Sequence, residues 1–352
     1  MAYSSITKPT DYFNTLIWTG SDTASGRDFT GAGFQPDLVW AKTRSDANGH
    51  KWFDSVRGVG KSLQSEGTGA ETTNDGNGYI DSFDADGFSS VAGGTNNYNF
   101  NNTSTTFAAW NWLGANGTAS NTDGSITSTV SANTTSGFSI VSFTGTGANA
   151  TVGHGLGATP KMIIVKNRDI VSPWWVYNEN NGNGVGMRLN GTGATETFSV
   201  LWNNTSPTSS VFSLGSGNEV NGSGNSMIAY CFAEKKGFSK FGQYTGNGNA
   251  DGTFIYTGFK PAMIIYKCSS TTNDWFIKDN KRETYNQMVY RLKPNSSNAE
   301  DSLSGGKLDF LSNGFKIRES DAAINASGAT FIYMAFAENP LVTSSGVPAT
   351  AR

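Results

Sequence analysis

The chain has 352 residues and a formal net charge of −3 at pH 7, and only 15% of its residues are charged, whereas globular proteins average about 25%. Because there is no basic stripe to neutralise phosphates, we expect no nucleic-acid partner. No apolar run approaches the roughly 18 residues of a membrane helix, so we expect no membrane insertion. The 43 glycines, 22 phenylalanines, 12 tyrosines and 9 tryptophans favour an all-β protein with short strands and many turns.

Three segments share one pattern, in which a glycine and a proline precede a short apolar run that a lysine closes. They are Gly33–Arg44 (GFQPDLVWAKTR), Gly157–Arg168 (GATPKMIIVKNR) and Gly258–Ser269 (GFKPAMIIYKCS). A proline fixes φ and cannot donate to a sheet ladder, so it suits the first residue of a strand. The run behind it is too short for a helix, and we interpret it as a buried strand.

The repeated unit extends on both sides of this strand. An aromatic-Thr-Gly turn precedes the strand, a tryptophan strand follows it, and each unit closes on a long apolar strand (TTFAAWNWLG, SMIAYCFAEKKG and TFIYMAFAENP). The aromatic residues that mark the turns and the tryptophan strands are Trp18, Phe143 and Tyr244, and Trp52, Trp174 and Trp275. The period is roughly 100 residues, which is the size of a small domain.

The pattern therefore predicts three tandem, related antiparallel β-sandwich domains. In chain order we expect an N-terminal arm (1–10), repeat 1 (11–114), a Ser/Thr/Asn/Gly-rich linker (115–137), repeat 2 (138–237), repeat 3 (238–340) and a C-terminal tail (341–352). The linker contains Ser125–Val130, a candidate edge strand. Repeat 3 follows repeat 2 without a linker, so these two are expected to pack together.

Some strands are apolar on both faces, including Met162–Val165, Met263–Tyr266 and Thr330–Ala337. Strands of this kind lie in the middle of a sandwich or between packed domains. A single small sandwich needs a smaller core than these strands supply. We therefore expect burial between domains or between subunits, and a homo-oligomer that is a trimer or larger.

The two cysteines, Cys231 and Cys268, lie in apolar strands of different repeats. A disulfide between them is the alternative to two buried free thiols. We favour the free thiols, because a free cysteine packs as a small apolar side chain.

Side chains suited to catalysis are few and differ between the repeats. His50 and His154 do not occupy corresponding positions, and no Gly-x-Ser-x-Gly elbow accompanies them. Asp81, Asp84 and Asp86 form a cluster that a glycosidase or a calcium loop would use, but such a cluster is also typical of a solvated turn, which we favour. We predict no catalytic residue, no metal site and no cofactor, and a protein that is not an enzyme.

Aromatic side chains offer the candidates for ligand binding, because carbohydrate sites use flat aromatic faces beside amides and acids. The tryptophans Trp52, Trp174 and Trp275 occupy the same place in each repeat, which a shared core also predicts, and we favour the core. Their neighbours should face the opposite side of the strand. With the polar-aromatic loop NNYNFNN, these neighbours supply the weak ligand-binding candidates Phe53, Tyr98, Asn101, Trp175 and Phe276.

Long segments of the chain resemble a recurring family of structural proteins of marine tailed bacteriophages, found in phages of cyanobacteria and of abundant marine bacteria. The segments are PDLVWAKTRS with KWFDSVRGVGKSL, NTDGSITSTVSANTTSGFSIVSFTGTG with VGHGLGATPKMIIVKNR, and SKFGQYTGNGNADGTFIYTGFKPAMIIYK with NDWFIKDNKR, LDFLSNGFKIR and FIYMAFAENP. The resemblance runs from about Tyr12 to Pro340. Members are often labelled tail, fibre or particle-surface proteins, sometimes lectin-like sandwiches, and no catalytic residues come with the resemblance.

The resemblance implies a virion structural protein with jelly-roll or lectin-like domains. A tail fibre or spike component that binds a host-surface glycan or protein is the leading interpretation. A capsid decoration or tail-connecting protein without a ligand is one alternative, and a polysaccharide-degrading spike is a less favoured one. The expected partners are further copies and other virion proteins. The N-terminus MAYSSITKPTDYF lacks the features of a secretory signal, so we expect assembly in the host cytoplasm and release by lysis.

Overall fold

The computed structural model describes residues 4–302, 305–342, 346 and 348. Within these residues the chain forms short antiparallel strands, a few one-turn helices and a 3-10 helix at Pro9–Asp11. The prediction of an all-β, antiparallel protein is confirmed. Residues 1–3 of the predicted arm, and 343–345, 347 and 349–352 of the predicted tail, lie outside the described residues.

Repeat 1 forms a four-stranded inner sheet, a three-stranded outer sheet and a small hairpin. Its strands are β1 (Phe13–Thr19), β2 (Arg27–Thr30), β3 (Leu38–Thr43), β4 (Lys51–Asp54), β5 (Lys61–Ser62), β6 (Thr72–Thr73), β7 (Tyr79–Asp84), β8 (Gly87–Val91) and β9 (Thr106–Trp112). The inner sheet has the order β1-β9-β3-β4, the outer sheet the order β2-β8-β7, and β5 pairs with β6.

Repeat 2 has the same inner sheet, extended by strands from the predicted linker. The elements are β10 (Ala119–Asn121), β11 (Ser128–Asn133), β12 (Phe138–Thr144), β13 (Ala150–Gly153), β14 (Pro160–Asn167), β15 (Trp175–Asn178), β16 (Val185–Arg188), β17 (Glu196–Thr197), α1 (Ser199–Trp202), β18 (Val211–Leu214), α2 (Asn218–Asn221) and β19 (Ser226–Ala233). The sheet order is β10-β11-β12-β19-β14-β15-β16-β17, with β13 and β18 as a separate pair. The candidate edge strand Ser125–Val130 overlaps β11 over residues 128–130, but β11 pairs with both β10 and β12 and so does not lie at the edge of the sheet.

Repeat 3 returns to the arrangement of repeat 1. Its elements are β20 (Ser239–Thr245), β21 (Phe254–Tyr256), β22 (Phe259–Cys268), β23 (Trp275–Asp279), β24 (Leu308–Leu311), β25 (Gly314–Ile317), α3 (Ala322–Asn325) and β26 (Thr330–Pro340). The inner sheet has the order β20-β26-β22-β23, and the outer sheet the order β21-β25-β24.

The repeated sequence pattern corresponds to one position in each inner sheet. The Gly-Pro strand is β3, β14 or β22, and it lies between the closing strand and the tryptophan strand in every repeat. The glycine of the pattern has a positive φ, of +85° at Gly33, +63° at Gly157 and +82° at Gly258. Glycine adopts this left-handed backbone readily, which explains why each copy carries one there.

A single hydrophobic core is shared by the three inner sheets. Side chains alternate along each strand, so that Leu38 and Trp40 of β3 face the shared core while Val39 and Ala41 face the opposite side. The large aromatic residues that meet in the shared core include Trp52, Trp110, Trp174, Tyr230, Trp275 and Phe336. The three inner sheets therefore surround a common centre.

A second, separate core lies between the inner and outer layers of each repeat. Each repeat is therefore sandwich-like, and its middle strands are buried on both faces. The predicted burial between repeats is confirmed for these doubly apolar strands. Since one chain covers both faces, the strands do not need a second subunit to bury them.

Candidate functional site

The equivalent tryptophans lie in the shared core, as predicted. Trp52, Trp174 and Trp275 are at most 1% exposed, and the ring centroids of Trp52 and Trp174 are 5.2 Å apart. The indole N–H of Trp174 donates to the carbonyl of Gln64 in repeat 1 at 2.8 Å, and that of Trp275 donates to the carbonyl of Arg188 in repeat 2 at 2.9 Å. These rings join neighbouring repeats and are not available to a sugar.

Phe53, Trp175 and Phe276, which alternation places opposite the tryptophans as candidates for a surface or an interface, do not lie at a surface of the chain. They are 0%, 2% and 1% exposed. Each side chain does point away from the adjacent tryptophan, but the opposite face of the strand is covered by the outer layer of its own repeat. For example, Phe276 stacks on Tyr266 with ring centroids 5.2 Å apart. These three residues are core residues.

Asn101 is buried and holds a turn, so it does not present its amide to a ligand. It is 2% exposed, and its Oδ1 accepts a hydrogen bond from the backbone N–H of Ser21 at 2.9 Å. The equivalent asparagines Asn221 and Asn325 accept the corresponding backbone N–H in their repeats, each at 2.8 Å. Tyr98, at 42% exposure, is the one predicted candidate that the structure places at the surface.

The predicted acidic cluster forms part of a turn. Asp84 accepts hydrogen bonds from the hydroxyls of Ser82 and Ser89 at 2.8 and 2.6 Å. Asp86 accepts the backbone N–H groups of Gly31 and Gly33 at 3.0 and 2.6 Å. These hydrogen bonds hold the turn together. They do not place two carboxylates on opposite sides of a cleft, as a glycosidase would need.

The two histidines have structural partners. Nδ1 of His50 accepts the indole N–H of Trp40 at 2.8 Å, so its Nε2 donates to the carbonyl of Lys293 in repeat 3 at 2.9 Å. Burial lowers the pKa of His50 well below its ordinary value. His154 bonds the backbone of its own turn, since its Nδ1 accepts the N–H of Leu156 at 3.2 Å.

The boundaries between the repeats, which we call seams, close into a ring. The backbone N–H of Glu71 donates to Arg168 O at 2.7 Å between repeats 1 and 2, and that of Glu300 donates to Arg44 O at 2.6 Å between repeats 3 and 1. At the third seam, Thr195 of repeat 2 donates to Ser269 O of repeat 3 at 3.0 Å. Three equivalent bonds in cyclic order indicate an approximate threefold arrangement of the repeats.

Two of the seams contain buried ion pairs. The Glu71 carboxylate forms ion pairs with the guanidinium of Arg57 in its own repeat, at 3.2 Å, and with that of Arg168 in repeat 2, at 2.8 Å. Glu300 is paired in the same way with Arg282 of its own repeat at 2.6 Å and with Arg44 of repeat 1 at 2.7 Å. The third seam has Ser269 where the others have Arg44 or Arg168. Buried charges need partners and hydrogen bonds to be tolerated, and these two seams provide both.

Closer to the shared core, the third seam again differs from the other two, which each contain a hydrogen bond to a buried aspartate. Tyr230 OH donates to Asp54 Oδ2 at 2.7 Å, and the Trp110 indole donates to Asp279 Oδ2 at 3.0 Å. The third seam carries Asn178 and Met334 at the corresponding strand positions. A thioether cannot donate a hydrogen bond, and the carboxylate is replaced by a neutral amide. The third seam therefore carries no carboxylate at this position.

A buried lysine follows the apolar run of each Gly-Pro strand. Lys42, Lys166 and Lys267 are at most 1% exposed, and burial lowers the pKa of each ammonium to about 8. Each Nζ donates to the carbonyl of the next residue, at 2.6, 2.7 and 2.6 Å respectively. Nζ of Lys267 also donates across its seam to Thr192 O at 3.2 Å. These lysines hold backbone at the seams.

An accessible aromatic side chain that the sequence reasoning missed lies at the edge of repeat 3. Tyr256, at the end of β21, is 54% exposed and borders a cleft of about 300 Å³. Glu234 and Lys240 form part of the same cleft wall. In β21 (FIY) the two aromatic residues point outward and the isoleucine between them is buried. Comparison of this strand with its equivalents in the other repeats would have revealed the outward aromatic residues.

Within the described residues, no group of three or more His, Cys, Asp or Glu side chains is placed to hold a metal ion. Across the same residues, no helix is long and apolar enough to span a membrane. Both cysteines are free and buried, as predicted.

The fold and its seams define an all-β protein made of three sandwich-like repeats closed around one core. Residues 8–340 match the family described as a domain of unknown function, DUF7483. Because the match spans most of the chain, the protein belongs to this family. Neither the curated proteins nor the solved structures contain a match.

Proposed function

We propose that the chain is a structural component of a bacteriophage virion, of the tail fibre or spike type, that contacts the host cell surface. The observation that carries this proposal is the closed ring of repeats around one core. The ring places several chemically active side chains, including Asp54 and Lys267, in buried structural contacts. A closed ring of this kind is suited to binding another surface through its exposed face and not to catalysing a reaction.

The means of stabilisation also suit a particle protein that is assembled in the cytoplasm. Cys231 and Cys268 are free, so the ring does not depend on oxidation. It depends on apolar burial in four cores and on ion pairs inside two seams. Release by lysis would leave such a protein folded outside the cell.

We also propose that the repeats are related to jelly-roll or lectin-like sandwiches. In repeat 1 the first and last strands are neighbours, β1 with β9, and the second strand pairs with the penultimate one, β2 with β8. This nesting of early strands with late strands is shared with jelly rolls, which occur in capsid and lectin domains. It supports a role at a particle surface.

The test is to locate the protein on intact virions and to measure adsorption. Virions that carry a labelled copy are imaged by electron microscopy, and virions that lack the protein are tested for binding to host cells. The proposal predicts a few symmetric copies at the tail and a loss of adsorption. Adsorption equal to that of wild-type virions would contradict it.

A capsid decoration protein is the second candidate. The approximate threefold arrangement of the repeats favours it, because such a ring fits on a threefold position of an icosahedral shell. Copies numbering in the tens or hundreds per particle would favour this role over the tail. We propose that copies of the chain also associate with one another, and the mass of the purified protein by light scattering tests this.

A polysaccharide-degrading spike is the least favoured candidate. The hydrogen bonds of Asp84 and Asp86 to serine hydroxyls and glycine N–H groups support a turn. Replacement of Asp81, Asp84 and Asp86 by asparagine would abolish a hydrolase activity based on them, and retained activity would remove this cluster from consideration.

A further inference from the structure

Two aromatic side chains of repeat 3 are exposed at positions where the other repeats carry no aromatic residue. Phe254 and Tyr256 are 43% and 54% exposed, on either side of Ile255, which is buried in the core of repeat 3. Ile255 corresponds to Phe29 of β2 and Val152 of β13, which are buried in the cores of repeats 1 and 2. The residues that flank these two are polar or small, namely Asp28, Thr30, Thr151 and Gly153. All three repeats need the buried residue, but only repeat 3 has the aromatic pair.

Tyr256 borders a cleft at the junction of repeats 2 and 3. The cleft has a volume of about 300 Å³, which is at the small end of ligand sites and large enough for one sugar ring. Glu234, from the segment that joins the two repeats, lines the wall and accepts Lys240 Nζ at Oε1, at 2.8 Å. Their side chains are 29% and 37% exposed, so both polar groups can be reached from solvent.

We propose that this cleft binds a pyranose unit of a neutral saccharide, with its C–H face on Tyr256 and its hydroxyls on Glu234 and Lys240. The inference rests on the proposed function, because it names the chemical class of the host-surface ligand. Phe254 extends the aromatic surface along β21 for a second sugar unit.

The chemistry of the cleft favours a sugar over other ligands. An aromatic face carries partial negative charge and attracts the polarised C–H groups of a pyranose. A carboxylate accepts hydrogen bonds from hydroxyl groups, and the ammonium beside it donates hydrogen bonds to hydroxyl oxygens. The Glu234–Lys240 pair can therefore bind two adjacent hydroxyls. A purely apolar ligand would bury this pair without compensating hydrogen bonds. A phosphate would lie against the Glu234 carboxylate.

The test uses the full chain and a panel of methyl glycosides of glucose, mannose, galactose and N-acetylglucosamine. Saturation-transfer NMR detects weak binding, and a titration of the best binder yields its dissociation constant. We expect at least one glycoside to receive saturation at its ring protons. Tyr256→Ala and Glu234→Gln should each weaken its binding by roughly tenfold or more, equivalent to about 1.4 kcal/mol.

Tyr285→Ala is the matched control, because Tyr285 is an exposed tyrosine of repeat 3 at 78% exposure outside the cleft lining. This variant should bind as the wild type does. Circular dichroism and thermal melting show whether each variant is folded. The inference is overturned if no glycoside binds the wild-type chain, or if folded Tyr256→Ala binds as tightly as the wild type.

Cell binding separates this inference from the proposed function. If the purified chain binds host cells but no glycoside binds through Tyr256, the cleft proposal fails while the proposed function stands. If a glycoside binds through Tyr256 but the wild-type chain does not bind host cells and virions that lack the protein adsorb normally, the saccharide site stands and the host-contact function fails.

Discussion

Tyr230 of repeat 2 donates its hydroxyl to the buried carboxylate of Asp54 in repeat 1, across 2.7 Å. The same carboxylate oxygen accepts Arg57 Nε at 2.5 Å. Burial is the main cause that raises the pKa of Tyr230 well above its ordinary value, so the hydroxyl keeps its proton as a donor. The bond joins two repeats through the centre of the molecule, and its counterpart, between Trp110 and Asp279, joins repeats 1 and 3.

Asp54→Asn should destabilise the protein strongly, because it leaves the Arg57 guanidinium buried without its nearest carboxylate. Removing one partner of a buried ion pair costs about 3–5 kcal/mol. The free energy of unfolding in guanidinium chloride measures the loss. Asp81→Asn, at an exposed position of β7, should change it by less than about 0.5 kcal/mol. Equal small effects of both substitutions would show that Asp54 contributes no seam stability.

Asn178→Asp should also be destabilising, although it creates the residue found in the two charged seams. Met334 stands where the charged seams have the donor Tyr230 or Trp110, and Asn181 stands where Arg57 and Arg282 follow Asp54 and Asp279. An unpaired carboxylate in this core would cost about 2 kcal/mol or more. Denaturant unfolding is again the measurement, and a gain in stability would contradict the account of a seam that cannot hold a carboxylate at this position.

Glu300→Gln tests the ion pairs at the outer part of a seam. Glu300 is partnered by Arg282 and Arg44 and its side chain is 9% exposed, so we expect a loss of about 2–4 kcal/mol. The control is Glu196→Gln, because Glu196 follows the seam residue Thr195 and pairs with Arg188 of its own repeat, and both side chains are about a third or more exposed. Exposed pairs contribute roughly 0–1 kcal/mol. Similar losses for the two variants would argue against burial as the source of the difference.

The buried lysines predict that stability rises above neutral pH. Lys42, Lys166 and Lys267 have a pKa of about 8 in the folded protein against an ordinary 10.5. Between these values the unfolded chain holds more protons, so the free energy of unfolding increases with pH. Above about pH 10 the raised pKa of Tyr230 and Tyr244 reverses the trend, because the unfolded chain then loses protons first.

The measurement is the free energy of unfolding at about pH 7.5 and about pH 9.5, and the value at the higher pH should be larger. Lys267→Met removes one titrating group and should reduce the rise. A decrease between these two pH values in the wild-type chain would contradict the lowered pKa of the buried lysines.

The cysteines predict a clear difference in reactivity between folded and unfolded protein. Cys231 and Cys268 are both fully buried, and burial raises the pKa of Cys231. A thiol reagent that absorbs on reaction should label neither residue in the native protein and both in guanidinium chloride, because the thiolate is the reactive form. Rapid labelling of the native chain would show that one of these strands opens readily.

Much of the fold could be predicted from the sequence, because the repeat is visible in it. The strand type followed from Pro36, Pro160 and Pro261 and the apolar runs behind them, and the burial of Trp52 and its equivalents followed from their recurrence. The closure of three inner sheets around one core could not be read in this way. It depends on contacts between residues far apart in the chain, such as Tyr230 and Asp54, which periodicity does not encode.

The predicted ligand residues illustrate the same limit. Alternation correctly placed Phe53 opposite Trp52, but it could not show that an outer sheet covers Phe53. Asn101 looked like a loop amide because its hydrogen bond to Ser21 spans most of repeat 1. Tyr256 carried a usable signal, since its equivalents in the other repeats are Thr30 and Gly153. Comparison between repeats separates residues that the fold requires from those that it does not.

Calorimetric unfolding of the full chain tests most directly whether the three repeats form one folded unit around the shared core. The account predicts a single transition whose calorimetric enthalpy equals its van't Hoff enthalpy, because no repeat can unfold without exposing Trp52, Trp174 or Trp275. Two or three separate transitions, each with the enthalpy of a domain of roughly 100 residues, would contradict it and would show that the repeats are independent domains.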